Sequence, residues 1–279
     1  GSMGGTGAWH IATRHPELFA AVATVCGHLE YAYDSEREFG DSTEPQWPRS
    51  FWQSGSPYFL AADLLNVPVY CHHGKEDTIV PVFQSQAMVR KLRELKYSVD
   101  YEEHSNVGHS GFPDTLDEDL RRWLLKQKRD PCPKRAVVRT NTLEQNQCHW
   151  LRIDRLEQMY RFGQVQAEAG VGEINAFAWS VREFTILVPE WLCKPGAPLR
   201  VSVMRKPAWE GAVPRSGELT FRLQGDGDVS AWQLAPEGPL WKQPDAPLMK
   251  RHGLQGPLQD VYNGRTAIVF GTAGSEETT

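Results

Sequence analysis

Apolar residues follow two different patterns along the 279-residue chain. In the first 127 residues they gather in runs and helical stripes. "FAAVATVC" (19–26) is a continuous apolar run closed by Gly27, as in a strand buried on both faces of a parallel sheet. "VPVYC" (67–71) and "SVDYEE" (98–103) are the second and third strand candidates. Helical stretches lie between and around them. Residues 5–16 read as a helix whose start is crowded by Gly4, Gly5 and Gly7. Near 83–96, Met88, Leu92 and Leu95 share one face. In "DTLDEDLRRWLLKQK" (114–128), Leu116, Leu120, Trp123 and Leu124 form an apolar stripe, with Asp114 placed to cap the start. Strands alternating with helices predict an α/β layer on a parallel sheet. Residues 28–63 between the first two strands are loop-rich.

The period changes to two after "RDPCPKR" (129–135), which reads as a linker. "AVVRT", "HWLRID", "QVQAEA", "INAFAW", "EFTILVP" and "LRVSV" are short alternating segments separated by Gly, Pro and Asn turns, and they predict a small antiparallel sandwich. Residues 206–258 are rich in Pro and Gly and show no period, while "DVYNGRTAIVFGTAG" (260–274) holds one more apolar strand, as at the start of a further element. The predicted organisation is an α/β region over 1–128, a linker over 129–134, an all-β sandwich-like domain over 135–205, and a Pro/Gly-rich region over 206–279.

Charge and cysteine content narrow the function classes. A net charge of −5 gives no general attraction to nucleic acid or anionic membranes. The longest apolar runs fall well short of the ~20 residues that span a bilayer. Five cysteines, an odd number with no C-x-x-C spacing, argue against a zinc site or a dense disulfide framework. No metal or other cofactor is expected, and the expected partner is a small-molecule ester or peptide. The sequence does not set the oligomeric state or the compartment.

The candidate chemistry begins at Ser2. "SMGGTGAW" is a serine followed by small residues and a helix, the downstream half of a nucleophile elbow. That turn needs small neighbours because strand and helix approach closely, and Gly4 and Gly5 supply them. It also places the Met3 backbone N–H at a helix N-terminus, where it can stabilise an oxyanion. A Gly-Ser pair ahead of a methionine is also what an expression linker leaves, but a linker does not predict the residues that follow. A serine hydroxyl needs a base, and the base an orienting acid. "HGKEDTIVP" puts Asp77 after the second strand, with Glu76 as its rival. "VGHSGF" puts His109 after the third, with His104 as its rival. All three lie beyond the carboxyl ends of successive strands, where open α/β sheets keep their sites.

"SMGGTGAW", "HGKEDTIVP" and "VGHSGF" together resemble the α/β-hydrolases, in particular prolyl-oligopeptidase-like and dienelactone-hydrolase-like esterases. The resemblance covers about residues 1–127. It implies a serine hydrolase that cleaves carboxylic esters through an acyl-enzyme, with Ser2 attacking, His109 as base and then acid, and Asp77 holding the imidazole. It also implies that the first region is the C-terminal half of an α/β-hydrolase sheet, with the strand leading to Ser2 lying upstream. A chain of that kind is expected to be inactive alone. The sheet segment resembles, less closely, an accessory domain that follows some of these hydrolases. A serine peptidase of the prolyl-oligopeptidase type and a non-catalytic scaffold with a degenerate hydrolase region are the alternatives.

Other groups carry blander readings. Trp47, Phe51, Trp52 and Tyr58 could line an acyl pocket or simply pack. His72, His73, Glu76 and Asp77 do not form a joint metal set, because adjacent histidines on a strand face opposite ways. "GGTG" lacks a following Gly-Lys-Ser/Thr, and "GDGD" (225–228) reads as a turn. Trp150, Trp179 and Trp191 are expected in the core of the sheet region.

Overall fold

The computed structural model describes residues 1–29, 53–225, 230–245 and 250. Trp47, Phe51, Trp52, most of "GDGD" and the strand expected within 260–274 lie outside the described residues.

The three apolar segments form β1 (Val22–Val25), β2 (Val69–Gly74) and β3 (Val99–His104), paired in parallel in that order. Helix α1 (Met3–Arg14) precedes β1, α2 (Phe83–Glu94) links β2 to β3, and α3 (Leu116–Leu124) follows β3. Trp9, Ala12, Val22, Leu64, Val69, Cys71, Met88, Val89 and Leu92 make one buried cluster, so α1, the segment carrying Leu64 and α2 close on the strand runs. Leu95 and Leu124, expected on apolar stripes, are exposed instead, and α3 buries only Leu116. No described helix is long and apolar enough to cross a membrane. Two further local expectations need correction. The segment Pro57–Asn66, within and just after the stretch read as loop, is a 3-10 helix that buries Leu60, Ala61 and Leu64. Asp114 does not cap α3: Thr115 holds the cap position, in helical backbone and with no side-chain bond.

Beyond residue 134 the chain builds two five-stranded sheets. One contains β4 (Arg135–Thr140), β7 (Gly163–Gly170), β8 (Glu173–Trp179), β10 (Pro198–Val203) and β11 (Lys206–Ala212). The other contains β5 (Gln147–Cys148), β6 (Leu151–Leu156), β9 (Val181–Leu187), β12 (Glu218–Gln224) and β13 (Ala231–Leu234). Alternate residues of both sheets, among them Val138, Val165 and Val201 from one and Ile153, Phe184 and Phe221 from the other, meet in a single cluster. The strands therefore continue through 206–234, where proline and glycine obscure the period. The expectation of purely antiparallel pairing also fails, because β8 and β10 run parallel. The chain leaves β8, crosses to the other sheet as β9, and returns so that β10 enters in the direction of β8.

A polar seam joins the two regions. Buried Asp63, on the 3-10 helix, accepts the Arg139 backbone N–H at 2.7 Å, and the Arg139 guanidinium donates to the Phe59 carbonyl at 2.8 Å. Phe59 stacks on Phe162 at 5.8 Å, and Asn66 donates to the Arg135 carbonyl.

Trp150 is buried and donates its indole N–H to the Pro133 carbonyl. Trp179 and Trp191 are 43% and 40% exposed, so they are not the core residues expected. Trp179 falls on the outward-facing alternation of β8, and Trp191 lies in a turn outside the strands.

Candidate active site

The turn that enters α1, held to the end of β1, and the loops after β2 and β3 build the site. The β1 strand ends at Val25, whose carbonyl accepts the Ser2 N–H at 2.8 Å. That bond pins the turn entering α1 to the strand end. Ser2 itself has φ 51° and ψ −125°, a left-handed φ that costs a non-glycine residue of order 1–3 kcal/mol. Close packing explains the glycines: a Cβ on Gly5 would lie 2.9 Å from the Val25 carbonyl, and one on Gly27 2.8 Å from the Gly5 backbone. Gly4 and Gly7 meet no such crowding.

The loop after β2 is held to the loop after β3. Lys75 N–H bonds the His104 carbonyl and Glu76 N–H the Val107 carbonyl. Asp77 is buried, while its rival Glu76 is exposed. Asp77 Oδ1 accepts the N–H groups of Ile79 and Val80, both at 2.9 Å, and Oδ2 lies 2.8 Å from His109 Nδ1. Burial pushes this carboxyl up, but the hydrogen bonds from His109, Val80, Ile79 and the Cys26 thiol outweigh it and hold the pKa below the ordinary aspartate value. The acid is therefore ionised at neutral pH.

His109 Nε2 lies 2.8 Å from Ser2 Oγ. An ionised carboxylate only accepts, so Nδ1 carries the ring proton and Nε2 presents its lone pair to the serine hydroxyl. The structure thus brings together Ser2, Asp77 and His109, residues 107 and 32 positions apart in sequence. Met3 opens α1, and its N–H is the first of the helix, beside the serine. His104 does not join them; its ring meets His72 at 2.8 Å instead. Tyr58 packs against the α/β cluster, edge-on to Phe59 and beneath the Lys91 ammonium at 4.1 Å.

Two residues not picked out from the sequence support Asp77. His73 bonds Ser85 Oγ through Nδ1 at 2.7 Å and donates Nε2–H to the Val80 carbonyl at 2.8 Å, with Asp77 Oδ2 3.4 Å away. Burial holds this imidazole below the ordinary histidine value, hence neutral. Cys26, at φ 50° after β1, turns a buried thiol toward the same carboxylate, and burial pushes that thiol up to about 12. The alternation that separates His72 from His73 could have pointed His73 to the Asp77 side; nothing local marks Cys26.

Residues 1–126 match the prolyl oligopeptidase family of S9 peptidases. Within and beyond this prolyl-oligopeptidase-like region, an "Uncharacterized secreted protein" of Arthroderma benhamiae is 26% identical over 190 residues, 65% of this chain and 20% of its own length. "Acyl-protein thioesterase 1" of Gibberella zeae is 38% identical over 60 residues, 22% of this chain and 25% of its own. A thermostable esterase of known structure is 26% identical with a TM-score of 0.32, covering 46% of this chain and 30% of its own. The chain thus spans about a fifth to a quarter of the curated relatives it matches.

Proposed function

We propose that the prolyl-oligopeptidase-like region is the part of a serine hydrolase that carries the nucleophile, base and acid, and that it cleaves carboxylic esters through an acyl-enzyme. In this reading His109 Nε2 removes the Ser2 hydroxyl proton as Oγ attacks the carbonyl carbon. The new imidazolium is steadied by Asp77, and the Met3 N–H donates to the oxyanion. As the tetrahedral adduct collapses, His109 returns the proton to the departing alkoxide. Water then repeats the cycle on the acyl-serine. The observation that carries this reading is the unbroken sequence Ser2 Oγ, His109 and Asp77, with both contacts at 2.8 Å. We further read the two five-stranded sheets as a sandwich-like accessory domain joined by the 129–134 linker.

A peptidase is the second reading, favoured by the family that residues 1–126 match. The same residues would act on an amide, with His109 protonating a departing amine. Parallel assays of the natural-length protein with a p-nitrophenyl ester and a proline-containing anilide separate the two: ester turnover without anilide cleavage supports the esterase, and efficient anilide cleavage the peptidase.

A further inference from the structure

On the other face of β2 from His73, a second group of side chains is used by none of the chemistry above. His72 and Glu102 are opposite one another in the β2–β3 register, and His104 lies two residues further along β3 opposite Gly74. The three side chains therefore rise from the same side of the sheet. His72 Nδ1 lies 2.8 Å from His104 Nε2. The Glu102 carboxylate approaches both rings, 3.9 Å from His72 Nδ1 and 3.8 Å from His104 Nδ1. The two imidazoles are almost enclosed and the carboxylate is largely exposed, which leaves an entrance on the Glu102 side. Aromatic rings brace the pair: Tyr70 sits edge-on to His72 and stacks on Trp123, and Phe112 sits edge-on to His104.

We propose that His72, Glu102 and His104 form a divalent transition-metal site that takes zinc. Two imidazole nitrogens and one carboxylate are a donor set that zinc accepts with a water in the fourth position. Ligand atoms on one tetrahedral zinc, with bonds of about 2.0–2.1 Å, stand about 3.3 Å apart, so the two nitrogens must part by about half an ångström, give up the proton between them and turn until both lone pairs meet the ion. Glu102 reaches the ion by a side-chain rotation that its exposure allows, and Asp119 of α3 adds negative charge near His72. The donors differ from the His72, His73, Glu76 and Asp77 set that strand alternation rules out. The ion would tie β2 to β3 directly below the loop carrying His109, since Phe112 of that loop covers His104. The inference stands apart from the hydrolase reading.

Zinc titrated into the chelator-treated full chain, followed by calorimetry and by competition with a chromophoric chelator, tests the site. The expected result is one zinc per chain. In H104A the affinity should fall by more than the about 10–100-fold that loss of a residue merely supporting a ligand costs. Because Cys26, His73 and Asp77 are also within ligand distance of one another, C26S serves as the control and should bind as the parent does. Cobalt substitution needs no variant: the complex should show tetrahedral visible bands without a thiolate charge-transfer band. No stoichiometric binding, binding unchanged in H104A, or a thiolate band would each overturn the assignment.

Discussion

Gly74 and Gly108 meet backbone to backbone, so closely that a Cβ on Gly74 would fall on the Gly108 carbonyl oxygen and within 2.5 Å of that of Val107. Gly74 ends β2, three residues before Asp77, and Gly108 immediately precedes His109. The absence of a side chain there lets the acid-bearing and base-bearing loops share hydrogen bonds.

It follows that G74A should separate the two loops. Overpacking of this kind costs typically 1–3 kcal/mol. A displacement of about 1 Å at the reacting groups can lower turnover about 100-fold. In the natural-length protein, hydrolysis should therefore fall far more than the fraction folded, as checked by steady-state kinetics beside urea unfolding. Wild-type turnover in G74A would show that the loops tolerate the separation.

D77N should keep the shape of the site but present the wrong hydrogen-bonding partner to His109 Nδ1. In the serine protease case this change lowers kcat by about 10⁴. In the natural-length protein a comparable loss of ester hydrolysis is the expected outcome, far larger than any fall in the folded fraction at neutral pH, measured by burst and steady-state kinetics beside thermal unfolding.

Removing the buried acceptor in the seam between the two regions, D63A, leaves the partly buried Arg139 N–H without its carboxylate partner. The expected cost is about 1–3 kcal/mol in urea unfolding. D63N keeps a carbonyl oxygen at that position and should cost less. Equal stability of all three proteins would show that the seam does not couple the regions.

Acid should weaken the fold before the carboxylates titrate. Burial, with the nearby Arg14, holds His10 at about 4, and burial lowers His149. An unfolded histidine titrates near ~6.5, so between those values the unfolded chain binds more protons. The stabilisation is present above ~6.5 and is lost as pH falls toward the folded values. Urea midpoints at about pH 7 and about pH 5 should differ at constant m-value, and H10Q should narrow the gap.

The sequence made some of this legible for identifiable reasons. Unbroken runs such as "FAAVATVC" mark strands buried on both faces, and glycines beside Ser2 mark a close helix–strand approach; each signal is local. Asp77 is set apart from Glu76 only by its place before "TIVP", as the family resemblance implies, since both lie past the end of β2, whereas His109 is set apart from His104 by the glycine before it and its reach beyond the strand. Residues 206–234 gave no period, since β11 carries Pro207 and Gly211 and pairs with a register shift, β13 has only four residues, and the assignment depends on partners far away. The parallel β8–β10 pairing was hidden for the same reason: it depends on where the chain goes between them. Cys26 and His73 act on Asp77 only after three strand ends converge; strand alternation sets His73 apart from His72, but no local pattern announces Cys26.

The central claim is that Ser2 is a nucleophile driven by His109. The most direct measurement is labelling of the natural-length protein by a fluorophosphonate, with the modified residue located by mass spectrometry. The account predicts a single phosphonylated site at Ser2, slowed strongly in D77N and absent in S2A. Equal labelling of the S2A variant, or none of the parent, would contradict it.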